Sequence, residues 1–311
     1  MGYVILFIFL TVLILANILL IIAFKFYNDA VKKNNKNTVK LFEKKGFNFD
    51  YRVVKTNVEW LREQKIKDHY ITSTDGLKLH GVFLQAPNPL RTVICVHGYR
   101  GNYEYDFSPI VRYFNSNHTN IFFVEQRCHG DSEGDNITFG AKEKEDLQQW
   151  VDYVQNHVDT KNPLYLYGIS MGASTCLLSL ENDFSGVLSG VIADCGYTSM
   201  RTLFNNLAKD WFGIPGVPLV NIVGFFCKYL GKFDMEETST KKALENNKVP
   251  VLFIHGEADT FVNPEHTRVN FTRDVGPKEI LWVPDANHGE SLMKSPDKYH
   301  QKLEYFFSTY K

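Results

Sequence analysis

From Tyr3 to Phe24 the chain runs through 22 positions without a charge, and only Thr11 and Asn17 among them are strongly polar. As a helix rising about 1.5 Å per residue, this run spans about 33 Å, enough for the hydrocarbon core of a bilayer. A buried helix of a globular domain that long would carry a polar stripe, and a cleaved leader would have a charged start, a shorter apolar run and a small-residue cleavage site. The segment shows neither pattern, so residues 1–26 are expected to form a single membrane-spanning anchor. Seven lysines follow it (Lys25, Lys32, Lys33, Lys36, Lys40, Lys44 and Lys45) and no charged side chain precedes it. The positive-inside rule then places the rest of the chain in the cytoplasm, although the same lysines would equally suit a solvated juxtamembrane helix facing anionic lipid.

Residues 27–66 are polar with scattered aromatics and are expected to form a juxtamembrane helical stalk, leaving residues 67–311 for the main domain. There the period changes. His69–Ser73 and Leu77–Gln85 flank Thr74-Asp75-Gly76, where Asp-Gly supplies the backbone of a tight hairpin. Strand patterns follow at 91–96, 119–125, 164–167, 187–193, 249–254 and 279–283, separated by helical stretches after Tyr103 and at 141–159, 173–181, 264–275 and 296–310. Strands alternating with helices predict an α/β domain with a mostly parallel sheet covered on both faces. One interval is too long for a single crossover helix. Residues 197–248 include the apolar, Gly- and Pro-punctuated run from Trp211 to Pro218 and are expected to form a helical cap.

Composition narrows the function. Lys+Arg of 34 against Asp+Glu of 35 leave a net charge of −1, so no basic field exists to gather nucleic acid. The five cysteines (Cys95, Cys128, Cys176, Cys195 and Cys227) include no C-x-x-C pair, which argues against a zinc site or a dithiol centre. Cys95, Cys176 and Cys227 lie in apolar stretches and are expected to behave as small buried hydrophobes. His255 and His266 form no metal-ligand spacing with neighbouring carboxylates, and no metal site is expected.

The chemistry begins at Gly168-Ile169-Ser170-Met171-Gly172, a G-x-S-x-G pentapeptide between a predicted strand and a predicted helix. In that context the serine hydroxyl is presented on a tight turn at a helix N-terminus. A nucleophilic serine needs a base, and the base needs an orienting acid. His288 follows the last predicted strand and Asp259 follows the one before it, which gives the chain order Ser170, Asp259, His288. All three loops lie at strand C-termini, where parallel sheets form their ligand crevices. Asp194, at the end of another strand, is the competing acid. The backbone N–H groups of Tyr99 and Met171 are placed to receive an oxyanion. His97 and His129 are expected to be structural. Tyr197, Trp211 and Phe212, with Phe225 and Phe226, are candidates to line an acyl pocket; the competing reading has these cap aromatics gluing the cap to the core.

With these motifs in hand, the sequence resembles the α/β-hydrolase superfamily, specifically its membrane-anchored, Bem46-like serine hydrolases. The resemblance rests on HGYRGN (97–102), EQRCHGDS (125–132), GISMG (168–172), HGEAD (255–259) and NHG (287–289), and covers residues 68–310. It implies an eight-stranded, mostly parallel sheet, a variable cap, no cofactor, and hydrolysis of esters, thioesters or amides. It also implies Ser170 as nucleophile, Asp259 as acid and His288 as base. Many relatives carry Asp and Gly where this chain has Glu125 and Cys128, a departure in a segment that is mainly structural in the family. The expected activity is therefore a carboxylesterase acting on a small or lipid-like apolar acyl ester. A thioesterase, lipase or peptidase would use the same residues, and a non-catalytic ligand-binding scaffold is the reading from another class.

Overall fold

The structure, a computed structural model, describes residues 1–33, 51–182, 184, 186–213 and 215–311, with the side chains of residues 51–53, 211 and 212 excepted. Lys36, Lys40, Lys44 and Lys45, and with them the middle of the expected stalk, lie outside the described residues.

Helix α1 (Gly2–Val31) leads to α2 (Tyr51–Arg62) and then to the hairpin β1 (Ile66–Thr72) and β2 (Lys78–Leu84). Gly76 supplies the hairpin turn at φ +88°, where a side chain would be strained. The chain continues through β3 (Arg91–Val96), α3 (Tyr103–Asp106), α4 (Ser108–Ser116) and β4 (Thr119–Val124). Next come α5 (Glu143–Tyr153), which ends in a π-helical turn at Val154–Val158, β5 (Leu164–Ile169), α6 (Met171–Ser179) and β6 (Leu188–Asp194). Between β6 and β7 (Val251–Gly256) stand α7 (Met200–Phe212), α8 (Gly216–Tyr229) and α9 (Lys241–Glu245). The C-terminal part is α10 (Glu265–Arg273), β8 (Lys278–Val283), α11 (Ser291–Lys294) and α12 (Pro296–Thr309).

The eight strands form one sheet in the order β1-β2-β4-β3-β5-β6-β7-β8. β1 and β2 pair antiparallel, β2 meets β4 antiparallel, and every pairing from β4 to β8 is parallel. This is the mostly parallel sheet that the strand-helix alternation predicted, with the eight strands that the resemblance implied. Val93, Ile94, Cys95 and Val96 of β3 are all buried, as a central strand covered on both faces requires. One face packs on α5 and α6 through Trp150, Val151, Cys176 and Leu177. The other packs on α4 and α12 through Ile110, Phe114, Leu303 and Phe306.

A third apolar cluster lies away from both faces and joins α1, α7 and α8. Residues 3–18 of α1 are exposed, whereas Ala23, Tyr27 and Val31 are buried. Phe24 meets Phe226 of α8 edge-on at 5.3 Å, and Phe26 meets Phe204 of α7 at 5.0 Å. The polar segment after the anchor does not stand off from the domain in its described parts. Tyr27 and Val31 pack into this cluster, and Val54, Val58 and Leu61 of α2 are buried too. Each of these sets recurs every three or four residues, the spacing that puts side chains on one helical face.

Candidate active site

The strand β5 delivers Ser170 onto the first turn of α6. Its backbone sits at φ 56° and ψ −115°, an uncommon conformation for a residue with a side chain. The two flanking glycines have a different task from supplying that φ. A Cβ on Gly168 would overlap the Gly172 carbonyl, and a Cβ on Gly172 would overlap the Val96 carbonyl, so both positions are set by close approach of backbone to backbone. The turn is fastened to β6 because Ser170 N–H donates to the Asp194 carbonyl at 2.8 Å.

Three separate loops bring polar side chains into line. His288 Nε2 lies 2.8 Å from Ser170 Oγ, and His288 Nδ1 lies 2.7 Å from Asp259 Oδ2. The Asp259 side chain is wholly buried and its other oxygen accepts the N–H groups of Phe261 and Val262 at 2.8 and 2.9 Å. Burial pushes this carboxyl up, but the charge and hydrogen bonds of His288 and His255 outweigh it and hold it well below the usual carboxylate range. Phe261 packs its ring edge-on against the His288 imidazole at 4.9 Å. The competing acid, Asp194, accepts instead from the Tyr299 hydroxyl at 2.8 Å, and burial pushes it up to about 6.

Sequence spacing missed a second histidine on the same carboxylate. His255 Nε2 is 3.1 Å from Asp259 Oδ2 and 2.8 Å from the Val262 carbonyl, and its Nδ1 is 2.6 Å from Thr267 Oγ1. Two acceptors face Nε2, so this nitrogen carries the hydrogen. The signal was the HGEAD run itself: a histidine at the end of a strand and an aspartate four residues later in the turn that follows.

The loop after β3 lies against the serine turn. A Cβ on Gly98 would stand 3.5 Å from both Ser170 Cβ and the Ile169 carbonyl, so the loop that carries Tyr99 approaches the serine turn at Gly98. Three side chains hold this loop, the half-buried Asp106 and the buried His97 and His129. Gly98 N–H donates to Asp106 Oδ2 at 2.7 Å, and His97 Nδ1–H donates to the Gly98 carbonyl at 2.8 Å. Arg100 N–H donates to His129 Nε2 at 3.1 Å. Burial brings His97 down to about 3 and His129 down to about 4, so both are neutral and their structural roles follow. Asp106 goes the other way: burial raises it to about 6, against the pull of the Gly98 and Asn102 amides.

The loop is also tied to the N-terminal helix. The Tyr99 hydroxyl donates to the Ala30 carbonyl at 2.7 Å. The Arg100 guanidinium donates to the carbonyls of Lys33, Asp29 and Lys32 at 2.8, 3.1 and 2.6 Å, filling acceptors that the end of a helix leaves open.

The expected pocket aromatics separate. Tyr197 is buried with its hydroxyl donated to the Phe139 carbonyl at 3.0 Å. Trp211 and Phe212 end α7, and their side chains lie outside the described residues. Phe225 faces outward at 56% exposure, and Phe226 rests on Phe24 and Tyr27 of α1, so this pair does not line the serine. All five cysteines are buried and unpaired by disulfides. Among the described residues, two groups bring three ligand-type atoms within 4.8 Å of one another: Cys195, Asp259 and His288, and His80, Glu125 and Asp131. In each, a histidine Nδ1 already lies at hydrogen-bond distance from a carboxylate, His288 from Asp259 and His80 from Glu125.

Comparison with known proteins agrees with this architecture. The family model described as "Serine aminopeptidase, S33" matches residues 87–213. Among curated proteins, the uncharacterized Bacillus subtilis protein YqkD is 26% identical over 236 residues, covering 76% of this chain and 77% of its own. Schizosaccharomyces pombe protein bem46 is 26% identical over 228 residues, covering 72% of this chain and 69% of its own. An uncharacterized membrane protein of Saccharomyces cerevisiae is 24% identical over 231 residues, 72% of this chain and 74% of its own. Among solved structures, the Pyrococcus furiosus esterase Pf2001 superposes with a TM-score of 0.64 at 22% identity, over 85% of this chain and 95% of that one. Taken with the sheet order, these matches show the chain to be similar to Bem46-like proteins of the α/β-hydrolase superfamily.

Proposed function

We propose that the protein is a membrane-anchored serine hydrolase that cleaves carboxylic esters of apolar acyl groups. One observation carries the reading: Ser170 Oγ, His288 and Asp259 form an unbroken hydrogen-bonded line with spacings of 2.8 and 2.7 Å. In this reading His288 Nε2 takes the Ser170 proton as Oγ attacks the ester carbonyl, and the negative oxygen formed is received by the N–H groups of Tyr99 and Met171. Collapse expels the alcohol, which takes the proton from His288 and leaves the acyl group on Ser170. Water then gives a proton to the same imidazole, attacks the acyl carbonyl and releases the acid, and the proton returns to Ser170. Buried and paired, Asp259 stays a carboxylate throughout and keeps the imidazole in the tautomer that presents Nε2 to the serine.

Residues 1–26 serve as the anchor, residues 67–311 as the hydrolase domain, and 197–248 as its cap. The fold likeness to an esterase and the apolar surroundings of the site favour esters. A second reading, amide hydrolysis, is favoured by the description of the matched family model. The assay that decides is hydrolysis of a p-nitrophenyl ester series from acetate to decanoate beside aminoacyl p-nitroanilides, with wild type and Ser170→Ala in parallel. Ester turnover that vanishes in Ser170→Ala is the expected result. Turnover confined to the anilides moves the reading to a peptidase, and inertness of a folded protein toward both classes favours the ligand-binding scaffold.

A further inference from the structure

Helix α8 is apolar on the side that packs and on the side that does not. From Gly216 to Cys227 it carries no charged side chain, and its one strongly polar group, Asn221 Oδ1, accepts from the Arg201 guanidinium at 2.8 Å. Leu219, Val220, Val223 and Cys227 are buried in the cluster shared with α1 and α7. On the outer side, Val217, Phe225 and Tyr229 stand 63%, 56% and 63% exposed, at helical spacings of eight and four, with Leu230 just beyond. A row of large apolar side chains left open to water calls for something to cover it.

The neighbouring helix says what. Phe226 rests on Phe24 and Tyr27, and Asn136, bridged to Lys32, donates its amide to the Gly231 carbonyl at 3.3 Å. The C-terminal ends of α1 and α8 therefore lie together and the two helices run the same way. The first turns of α8 are carried back along α1 toward Leu19, which packs on the cluster containing Leu219 and Val220. Before Leu19 lies the exposed part of α1, the apolar helix Gly2–Val31 that is long enough to span a bilayer. At the shared C-terminal end Lys25, Lys228 and Lys232 are exposed, the cations that favour a headgroup layer.

We propose that α8 dips its N-terminal half into the bilayer beside α1, and that the site beneath this lipid-immersed roof draws its substrate, an acyl ester already dissolved in the membrane, from the lipid side. The apolar cluster is continuous from the roof to the serine. Phe26 contacts Phe204, Phe204 contacts Phe139 and Phe139 stacks on Tyr99, with centroids 5.0, 5.3 and 5.1 Å apart, while Met171 and Phe261 belong to the same cluster. The substrate half of the proposal rests on the hydrolase reading; the immersion does not.

The test uses the full chain in phosphatidylcholine vesicles. Because the native thiols are buried, an NBD fluorophore can be attached at Val217→Cys, at Phe225→Cys and, as control, at Lys242→Cys on the exposed side of α9. Immersion predicts that the labels at 217 and 225 are quenched by doxyl lipid and shielded from iodide, with the reverse at 242. Iodide quenching at 217 equal to that at 242 overturns it. For the substrate half, the double variant Val217→Glu, Phe225→Glu is compared with wild type on 4-methylumbelliferyl oleate dissolved in the vesicles and on water-soluble p-nitrophenyl acetate. The expected result is a loss of at least tenfold on the oleate with the acetate rate within twofold. Equal retention of both rates overturns the lipid-side route. A wild type inert toward both esters sinks the hydrolase reading and leaves immersion to be decided by the quenching.

Discussion

The Tyr99 hydroxyl donates to the Ala30 carbonyl at 2.7 Å, so the residue whose N–H is proposed to receive the oxyanion also holds the end of the apolar N-terminal helix. Arg100 reinforces the tie with three further carbonyls of the same helix end. The C-terminal end of α1 is thus joined by hydrogen bonds to the loop that faces Ser170, and is part of the site's surroundings.

Arg100→Ala removes these donors and leaves the last carbonyls of α1 to compete for water. Hydrogen bonds from a charged group are worth about 1.5–3 kcal/mol. The variant is expected to lower kcat by about tenfold through a loosened 97–101 loop, with KM for a short soluble ester nearly unchanged. Steady-state kinetics on p-nitrophenyl acetate check it; an unchanged kcat separates the anchor from the chemistry.

His255 acts through Asp259. Its Nε2–H is the second side-chain donor on the carboxylate oxygen that holds His288, so His255→Leu takes away that bond and lets the acid drift. The expected loss is on the order of tenfold in kcat/KM, because the carboxylate that orients the His288 imidazole is less firmly held. Removing the acid altogether is more severe: by analogy with serine protease triads, Asp259→Asn lowers kcat by about 10⁴-fold. A kcat/KM for His255→Leu within about twofold of the wild type would show that His255 only packs.

Stability should depend on pH through two aspartates of opposite sign. Asp106 is raised to about 6 in the fold, so its contribution favours folding below the unfolded value near 4 and is lost as pH rises through about 6. Asp259 is depressed, so its contribution is present above the unfolded value and is lost as pH falls toward the folded one. Asp106→Asn keeps an acceptor for Gly98 N–H and removes the buried charge. It is expected to be more stable than wild type by about 2 kcal/mol at pH 8 and no more stable at pH 4.5. Urea melts at the two pH values measure this, and equal differences at both would contradict it.

Gly172 has no room to grow, since a Cβ there would overlap the Val96 carbonyl. Gly172→Ala must push β3 and α6 apart and is expected to destabilise the protein by about 3 kcal/mol or more, beyond the usual range of point substitutions. Thermal denaturation followed by circular dichroism reads the effect, and a Tm within 2 °C of wild type would show that the turn can relax.

How much of this was legible in the sequence depended on how local the signal was. β3 was read at its observed limits, Arg91–Val96, because a short apolar run bounded by polar residues leaves few alternatives. That Ser170, His288 and Asp259 come together was legible because each sits just past a strand and the fold aligns strand ends. The packing of the end of α1 was not legible. Ala23, Tyr27 and Val31 form a buried stripe every four residues, yet Lys25, Asn28, Asp29 and Lys32 on the other faces gave the segment a polar average, and an average does not show which face a partner helix covers. His255 was overlooked because its partner is an acid in a loop, not a ligand at a regular spacing. Cys128 illustrates the same limit: it holds φ +69°, a backbone that favours glycine, which nothing in its sequence neighbourhood showed.

The central claim is that Ser170 is a nucleophile activated by His288. The most direct measurement is labelling of the intact, vesicle-reconstituted protein with a fluorophosphonate probe, followed by peptide mapping, with Ser170→Ala and His288→Ala alongside. The account predicts a single adduct on Ser170, absent in Ser170→Ala and slowed at least a hundredfold in His288→Ala. A folded protein that takes up no probe, or takes it up equally well without His288, contradicts it.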